Sequence, residues 1–122
     1  MKRCFAVLFV FSALFFSGCN ELRKSEEKIK SEILSRVPLG SDISAVLDFL
    51  KTSNCEIRSV NRNGGFYDQR VTPAKETGTM SVRANLGDYR GIICRVNVTV
   101  YFAFDKDGRL IDIWVWKITD AP

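Results

Sequence analysis

The chain has 122 residues and no histidine, and this absence removes several classes of active site at once. Ser-His-Asp triads, Cys-His pairs and zinc sites with imidazole ligands all need a histidine side chain. The sequence also lacks a glycine-rich phosphate loop and a Gly-x-Ser-x-Gly nucleophile motif. Scattered carboxylates are the remaining acid or base candidates. We therefore expect a protein that is not an enzyme, with no cofactor, no catalytic residue and no small-molecule substrate.

A metal site is not predicted either. The segment Asp105-Lys106-Asp107-Gly108 resembles the start of a calcium-binding loop. Arg109 follows the glycine, however, and no glutamate closes the loop at the position that calcium requires. The segment is better explained as the turn of a β-hairpin, because aspartate and glycine are typical of such turns.

Long apolar runs are also scarce, and the one that stands out lies at the N-terminus. Lys2 and Arg3 precede a run of 13 residues, 4–16, in which Ser12 is the sole polar residue. A signal-peptide core has roughly 7–15 apolar residues, whereas a membrane-spanning helix needs about 20. The pattern predicts a signal peptide over residues 1–18, followed by Cys19.

Residues 16–19, Phe-Ser-Gly-Cys, resemble a bacterial lipobox, in which small residues precede the cysteine that is lipidated. The resemblance implies cleavage before Cys19 and attachment of acyl chains to Cys19, which would hold the protein on a membrane. The next residue is Asn20, whereas an aspartate there would retain a lipoprotein in the inner membrane. The expected location is therefore the outer membrane, facing the periplasm. The alternatives are an unlipidated secretory signal and an uncleaved anchor.

Cleavage before Cys19 leaves 104 of the 122 residues and lowers the formal net charge from +4 to +2, because two basic residues are removed. So small a charge gives no reason to expect nucleic-acid binding. Residues 19–36 are predicted to form the lipidated cysteine, a tether and the first helix. Residues 37–122 are predicted to be the remainder of a single α+β domain.

Two cysteines, Cys55 and Cys94, remain for a structural role. The periplasm is oxidising, and an even number of cysteines there indicates a disulfide. Both residues fall on the apolar side of predicted strands, so we expect them to be bonded to each other. The alternative is a pair of buried free thiols, which pack as small apolar side chains.

The mature chain is predicted to begin with two helices. Residues 21–36 have apolar side chains near helical spacing, and Pro38-Leu39-Gly40 ends this first helix. Ser41 or Asp42 is expected to cap the second helix. Its single apolar face consists of Ile43, Val46, Leu47 and Leu50.

The rest of the chain is predicted to form an antiparallel sheet. Asn63-Gly64-Gly65 indicates a turn, residues 72–78 an exposed loop, and residues 87–91 another loop. The strongest signal is a hairpin formed by residues 92–104 and 109–119, in which apolar and polar residues alternate. Its predicted core face, which the two helices should cover, contains Val98, Val100, Phe102, Ile111, Ile113 and Val115. The predicted fold class is α+β, with two N-terminal helices packed on one face of the sheet.

By the same alternation, Tyr101, Trp114 and Trp116 share the opposite face of this hairpin, surrounded by polar residues that include Arg95 and Asn97. Helices on one side of a sheet leave the other side in water. An exposed aromatic patch ringed by polar groups often marks a partner-binding site. The alternative is that the tryptophans pack beneath residues 72–78 or simply stabilise the sheet as cross-strand pairs.

The layout is similar to that of the small outer-membrane lipoproteins of the SmpA/OmlA (BamE) group. The similarity lies in Pro38-Leu39-Gly40-Ser41 before the second helix and in Phe104-Asp105-x-Asp107-Gly108-x-Leu110 in the hairpin. It implies a two-layer fold of the kind also found in β-lactamase-inhibitor-type domains. The expected function is a non-enzymatic protein-binding or structural module of the bacterial envelope. The alternative is an inhibitor or immunity-type lipoprotein that neutralises a toxin or hydrolase.

Overall fold

The computed structural model of the protein describes residues 22–68 and 72–119. The expected signal peptide, residues 1–18, and Cys19 lie outside these ranges. The described helices and strands are α1 (Glu26–Arg36), α2 (Ile43–Thr52), β1 (Glu56–Asn61), β2 (Phe66–Asp68), β3 (Lys75–Thr77), β4 (Met80–Arg90), β5 (Arg95–Phe104) and β6 (Leu110–Thr119). Neither of the two helices is long and apolar enough to cross a membrane.

Helix α1 begins later than the sequence pattern indicated. The Ser25 side chain accepts a hydrogen bond from the Lys28 backbone N–H at 3.1 Å and so caps the helix. Glu26 and Glu27 occupy the first turn, where negative charge favours the helix dipole. Leu22, which precedes the cap, is nevertheless buried in the core.

Helix α2 is capped by Asp42, one of the two residues expected for this role. Its carboxylate accepts a hydrogen bond from the Ser44 backbone N–H at 3.2 Å. Hydrogen bonds from Ser44 hold the pKa of Asp42 below its ordinary value. Phe49 is buried on the inner face of α2, whereas Leu47 is only half-buried.

Strands β1, β4, β5 and β6 form an antiparallel sheet in the order β1-β4-β5-β6. Helix α1 packs against β6 and α2 against β1, which confirms the predicted α+β fold class. The core lies between the helices and one face of the sheet. Its fully buried strand residues are Val82, Ala84, Val98, Val100, Phe102, Phe104 and Ile113.

The predicted inner face of β6 is wrong at Ile111. Ala103 pairs with Asp112 and Phe104 pairs with Leu110, so Ile111 is the additional residue of a β-bulge. A bulge reverses the side-chain alternation beyond it. Leu110 therefore fills the core, and Ile111 is 43% exposed.

Two segments expected to be loops contain strand structure. Residues 75–77 form β3, which pairs with β2 in a separate two-stranded ribbon. Strand β4 continues to Arg90, past a bulge between Asn85 and Gly87. Conversely, β5 begins at Arg95, and the alternation seen from residue 92 reflects a loop rather than a strand.

The expected disulfide between Cys55 and Cys94 is not formed, and both are free thiols. Cys55 adjoins Glu56, which pairs with Asn85, whereas the Cys94 carbonyl accepts a hydrogen bond from the Gly91 N–H. The pairing places the two cysteines about four residues apart in level, which is roughly 13 Å along the sheet. A disulfide needs Cα atoms within about 7 Å. The expectation failed because alternation fixes the face of a residue but not its position along the strand.

Candidate protein-binding face

The face of the sheet away from the helices carries four aromatic side chains in mutual contact, which we call the aromatic cluster: Phe66, Tyr101, Trp114 and Trp116. The rings of Tyr101 and Trp114 are stacked with centroids 5.0 Å apart, and those of Trp114 and Trp116 also 5.0 Å apart. The stack follows from the register, in which Tyr101 lies directly opposite Trp114 and Thr99 opposite Trp116. Cross-strand neighbours of this kind restrict each other's rotamers.

The β2–β3 ribbon folds over one side of the aromatic cluster. The Phe66 ring lies 5.9 Å from that of Trp114 and 5.8 Å from that of Tyr101. The ribbon needs glycine at residue 65, because a Cβ atom there would lie 1.9 Å from the Thr77 carbonyl oxygen. The Ser81 hydroxyl donates a hydrogen bond to the Gly64 carbonyl at 3.1 Å and ties the ribbon to β4.

The cluster is therefore partly covered and partly open. Trp114 is only 6% exposed, whereas Tyr101 and Trp116 are half-buried and Tyr67, on the ribbon, is 63% exposed. The structure thus combines the two alternatives that the sequence left open. Trp114 packs beneath the ribbon, and the other rings extend from this buried centre to the surface.

Arg83 borders the cluster on β4. Its guanidinium carbon lies 5.6 Å from the centroid of the Tyr101 ring, within range of a cation–π contact. A groove of about 310 Å³ runs between Arg83 and the ribbon, over Tyr101 and Trp114. Its other walls are polar, including Ser59 and Asn61 of β1.

A second groove, of about 430 Å³, lies on the opposite side of the tryptophans, between β6 and α1. Glu26 of α1 accepts a hydrogen bond from the Lys117 backbone N–H at 3.0 Å, and Lys30 forms an ion pair with Asp112 at 3.5 Å. These contacts hold α1 along β6. Trp116 therefore lies between the other rings of the aromatic cluster and the charged residues of α1.

The polar residues predicted to surround the aromatic patch lie farther along the sheet. The Asn97 amide donates a hydrogen bond to the Asn85 side chain at 3.0 Å and accepts one from the Thr99 hydroxyl at 2.8 Å. This pairing makes Asn97 a part of the sheet structure. Arg95 lies at the end of β5 and forms an ion pair with Asp88 at 3.6 Å. The structure brings Tyr101, Trp114 and Trp116 together but does not place Arg95 beside them.

The face that carries the aromatic cluster is lined by aromatic rings, an arginine and amide groups. Over residues 22–68 and 72–119, no three His, Cys, Asp or Glu side chains come together as metal ligands would. Burial raises the pKa of the Cys55 thiol to about 12, so this cysteine stays protonated and is a poor nucleophile. What the face offers is rigid aromatic area bordered by an arginine and amide groups.

Sequence reasoning missed Phe66, Tyr67 and Arg83. The turn at Asn63-Gly64-Gly65 and the short strand after it were recognisable, but nothing local shows that this strand folds back over the sheet. The separation of Phe66 from Tyr101 and Trp114 in sequence makes the contact a tertiary one. Arg83 could be found only by pairing β4 with β5.

No protein-family model matches the chain, and no curated protein or solved structure matches it either.

Proposed function

We propose that the protein is a lipoprotein of the bacterial envelope, attached to the outer membrane through Cys19, and that it binds another envelope protein through the aromatic cluster. The order of a basic start, a short apolar run and small residues before Cys19 supports the anchor. The stacked rings on the open face of the sheet support the binding role. The proposed module is not an enzyme.

The observation that carries the proposal is the preorganisation of Trp116 and Tyr101. Both rings are partly in water, yet each packs against a neighbour in the stack, and Trp114 at its centre is buried. Side chains that are already fixed lose little conformational entropy when a partner binds. Tryptophan, tyrosine and arginine are also the residues most often found at the energetic centre of protein interfaces.

The shape of the surface favours a protein partner over a small ligand. Two open grooves of about 310 and 430 Å³ flank the tryptophans, and neither encloses a ligand by itself. Small-molecule sites are usually single concave pockets that bury most of the ligand. A protein surface or an extended peptide could instead contact both grooves and Trp116 at once.

Photo-crosslinking in intact cells tests the binding role. A photoreactive residue in place of Tyr67, at the border of the aromatic cluster, should give a discrete crosslinked product, and the same residue in place of exposed Leu39 should not. Leu39 lies beside Gly40, whose N–H bonds to Leu110 at the other end of the core. Equal crosslinking at both positions would contradict the proposal.

With the captured protein purified, Trp116→Ala should weaken its binding by about 30-fold or more, the usual level for a central interface tryptophan. Leu39→Ala is the matched control and should bind normally. Trp114→Ala is unsuitable as a probe, because emptying a buried site should lower the free energy of unfolding by about 3–5 kcal/mol. A captured toxin or hydrolase whose activity falls on binding would place the protein in the inhibitor or immunity class.

The anchor is tested separately. Cys19→Ala should abolish acyl labelling and leave the precursor unprocessed. Normal acylation of this variant would end the lipoprotein interpretation without affecting the binding experiment.

A further inference from the structure

The loop between β4 and β5, residues 91–94, carries the most exposed aliphatic side chains of the described residues. We call it the tip loop. Ile92 is fully exposed and Ile93 is 79% exposed. Exposure of two adjacent isoleucines is unfavourable for a monomer, because removing each apolar side chain from water lowers the free energy. The most exposed aliphatic residues of the strands, Val60 and Ile111, are only 40% and 43% exposed, so the tip loop needs an explanation of its own.

Arginines surround these isoleucines. Arg90 and Arg95 flank the tip loop as the last residue of β4 and the first of β5, and both are exposed. Arg23 is a third exposed arginine, and its guanidinium donates a hydrogen bond to the Arg90 carbonyl at 2.9 Å. One carboxylate, Asp88, opposes this charge through its ion pair with Arg95. The surface therefore combines an apolar tip with a net positive border.

The N-terminal segment of the domain reaches the same end of the sheet. Leu22 is buried against Gly87 of β4, and the Arg23 guanidinium lies 5.0 Å from the centroid of the Tyr89 ring. Cys19 precedes Leu22 by three positions, and an extended chain spans three residues in at most about 11 Å. A lipid attached at Cys19 would therefore hold this end of the domain, and not the opposite one, at the bilayer.

We propose that the tip loop is a membrane-binding element: Ile92 and Ile93 enter the boundary between headgroups and acyl chains, and Arg23, Arg90 and Arg95 bind anionic phosphates. Apolar side chains next to cationic ones are the pattern of segments that lie in this interfacial layer. The inference relies on the Cys19 anchor of the proposed function to bring the loop to the bilayer. It adds a second contact, which fixes how the domain stands on the membrane.

The resulting orientation has a direct consequence for the aromatic cluster. With the tip loop in the headgroups, the strands rise away from the membrane and the turn between β5 and β6 points into the periplasm. The open face of the sheet then stands upright beside the bilayer. A partner could approach Trp116 from the side without displacing lipid.

The tip loop contains a natural attachment point for a fluorescent probe, Cys94. An environment-sensitive fluorophore is attached to the native lipoprotein, and mass spectrometry of the peptides shows which thiol carries it. Cys55 should remain unlabelled because its thiol is partly buried and protonated. The protein is then reconstituted into phosphatidylethanolamine vesicles with phosphatidylglycerol, with or without nitroxide-labelled lipid.

We expect nitroxide lipid to reduce the Cys94 probe emission by about twofold or more, because an interfacial segment lies 5–10 Å into the bilayer boundary. The double variant Ile92→Asp/Ile93→Asp should lose this quenching. Leu39→Asp places a charge at the opposite end of the domain and should keep it. Replacing phosphatidylglycerol with phosphatidylcholine should reduce the quenching, because the arginines would lose anionic partners.

The outcomes for the loop and for the anchor are distinguishable. An unquenched probe on an acylated protein overturns the tip-loop inference and leaves the anchor intact. A protein that carries no acyl group but is still quenched overturns the anchor and leaves the tip loop standing. Quenching that survives Ile92→Asp/Ile93→Asp refutes the assignment to the isoleucines.

Discussion

The tip loop and the β5–β6 turn lie at opposite ends of β5 and are built in opposite ways. In the turn, one carboxylate oxygen of Asp105 accepts hydrogen bonds from the backbone N–H groups of Asp107 and Arg109, at 2.9 and 3.0 Å. The Gly108 N–H donates to the Asp105 carbonyl at 3.0 Å. The Gly40 N–H donates a hydrogen bond to the Leu110 carbonyl, so the segment between α1 and α2 also holds the turn in place.

Fewer hydrogen bonds hold the tip loop in place. The Gly91 N–H donates to the Cys94 carbonyl at 2.8 Å, and Arg23 contacts the loop from outside through Arg90. The turn is thus fixed by its own side chains, whereas the tip loop exposes isoleucines that contribute nothing to the core. The difference indicates that the turn serves folding and that the tip loop serves contact.

The largest expected effect is a difference in stability between substitutions of two aliphatic residues, one at each end of β5. Leu110→Ala should lower the free energy of unfolding by about 2–5 kcal/mol, because Leu110 is buried in the core beside the turn. Ile93→Ala, in the tip loop, should change it by no more than about 0.5 kcal/mol. Urea denaturation followed by tryptophan fluorescence measures both values. Equal losses would mean that the tip loop supports the fold after all.

A smaller effect is expected from the backbone of the turn. Gly108 has a φ of +78°, and the closest atoms to a Cβ there would be 3.7 Å away. Gly108→Ala should therefore cost about 1–2 kcal/mol through backbone strain rather than through a clash.

Lys106→Ala is the control for that substitution, because Lys106 is exposed in the same turn and should be nearly neutral. Thermal unfolding of both variants gives the comparison. A Gly108→Ala protein as stable as Lys106→Ala would show that the turn is less constrained than its hydrogen bonds indicate.

The smallest expected effect is on the pH dependence of stability, and it arises at Asp42, which lies next to the β5–β6 turn. Hydrogen bonds from Ser44, and to a lesser degree the charge of Arg109, lower the folded-state pKa of Asp42. Its contribution to stability is therefore complete above the unfolded-state pKa, about 3.9, and is lost as the pH falls through the lower folded-state pKa. When the free energy of unfolding is measured from pH 7 to pH 2, the wild-type protein should be more stable than Asp42→Asn at neutral pH and should lose this difference at the acidic end.

Asparagine keeps the capping geometry without the charge, so the comparison isolates ionisation. A constant difference between the two proteins across the pH range would contradict the assignment to Asp42.

The sequence predicted most where the cause was local. The α2 cap, the turn at residues 105–108 and the face shared by Tyr101, Trp114 and Trp116 all follow from spacing within a short segment. Alternation in a strand has a period of two, so the face of a residue follows from spacing alone as long as no bulge interrupts the strand.

Prediction from the sequence failed where the structure depends on contacts between segments that are distant in the chain. The bulge that exposes Ile111 depends on how β6 pairs with β5, and the separation of Cys55 from Cys94 depends on the register of three strands. The packing of Phe66 on Trp114 needs the ribbon to fold over the sheet. None of these is encoded in the alternation of a single strand.

The bond from the Lys117 N–H to Glu26 has a consequence for self-association. The outer strands of an open sheet offer unpaired backbone groups to other chains, and exposed edges of this kind promote aggregation. Glu26 occupies one such group on β6. At the other border, β1 carries a bulge and an exposed Glu56–Arg58 ion pair at 2.8 Å, both of which discourage strand addition. Both edges of the sheet therefore oppose edge-to-edge joining of neighbouring copies, including copies crowded at high density.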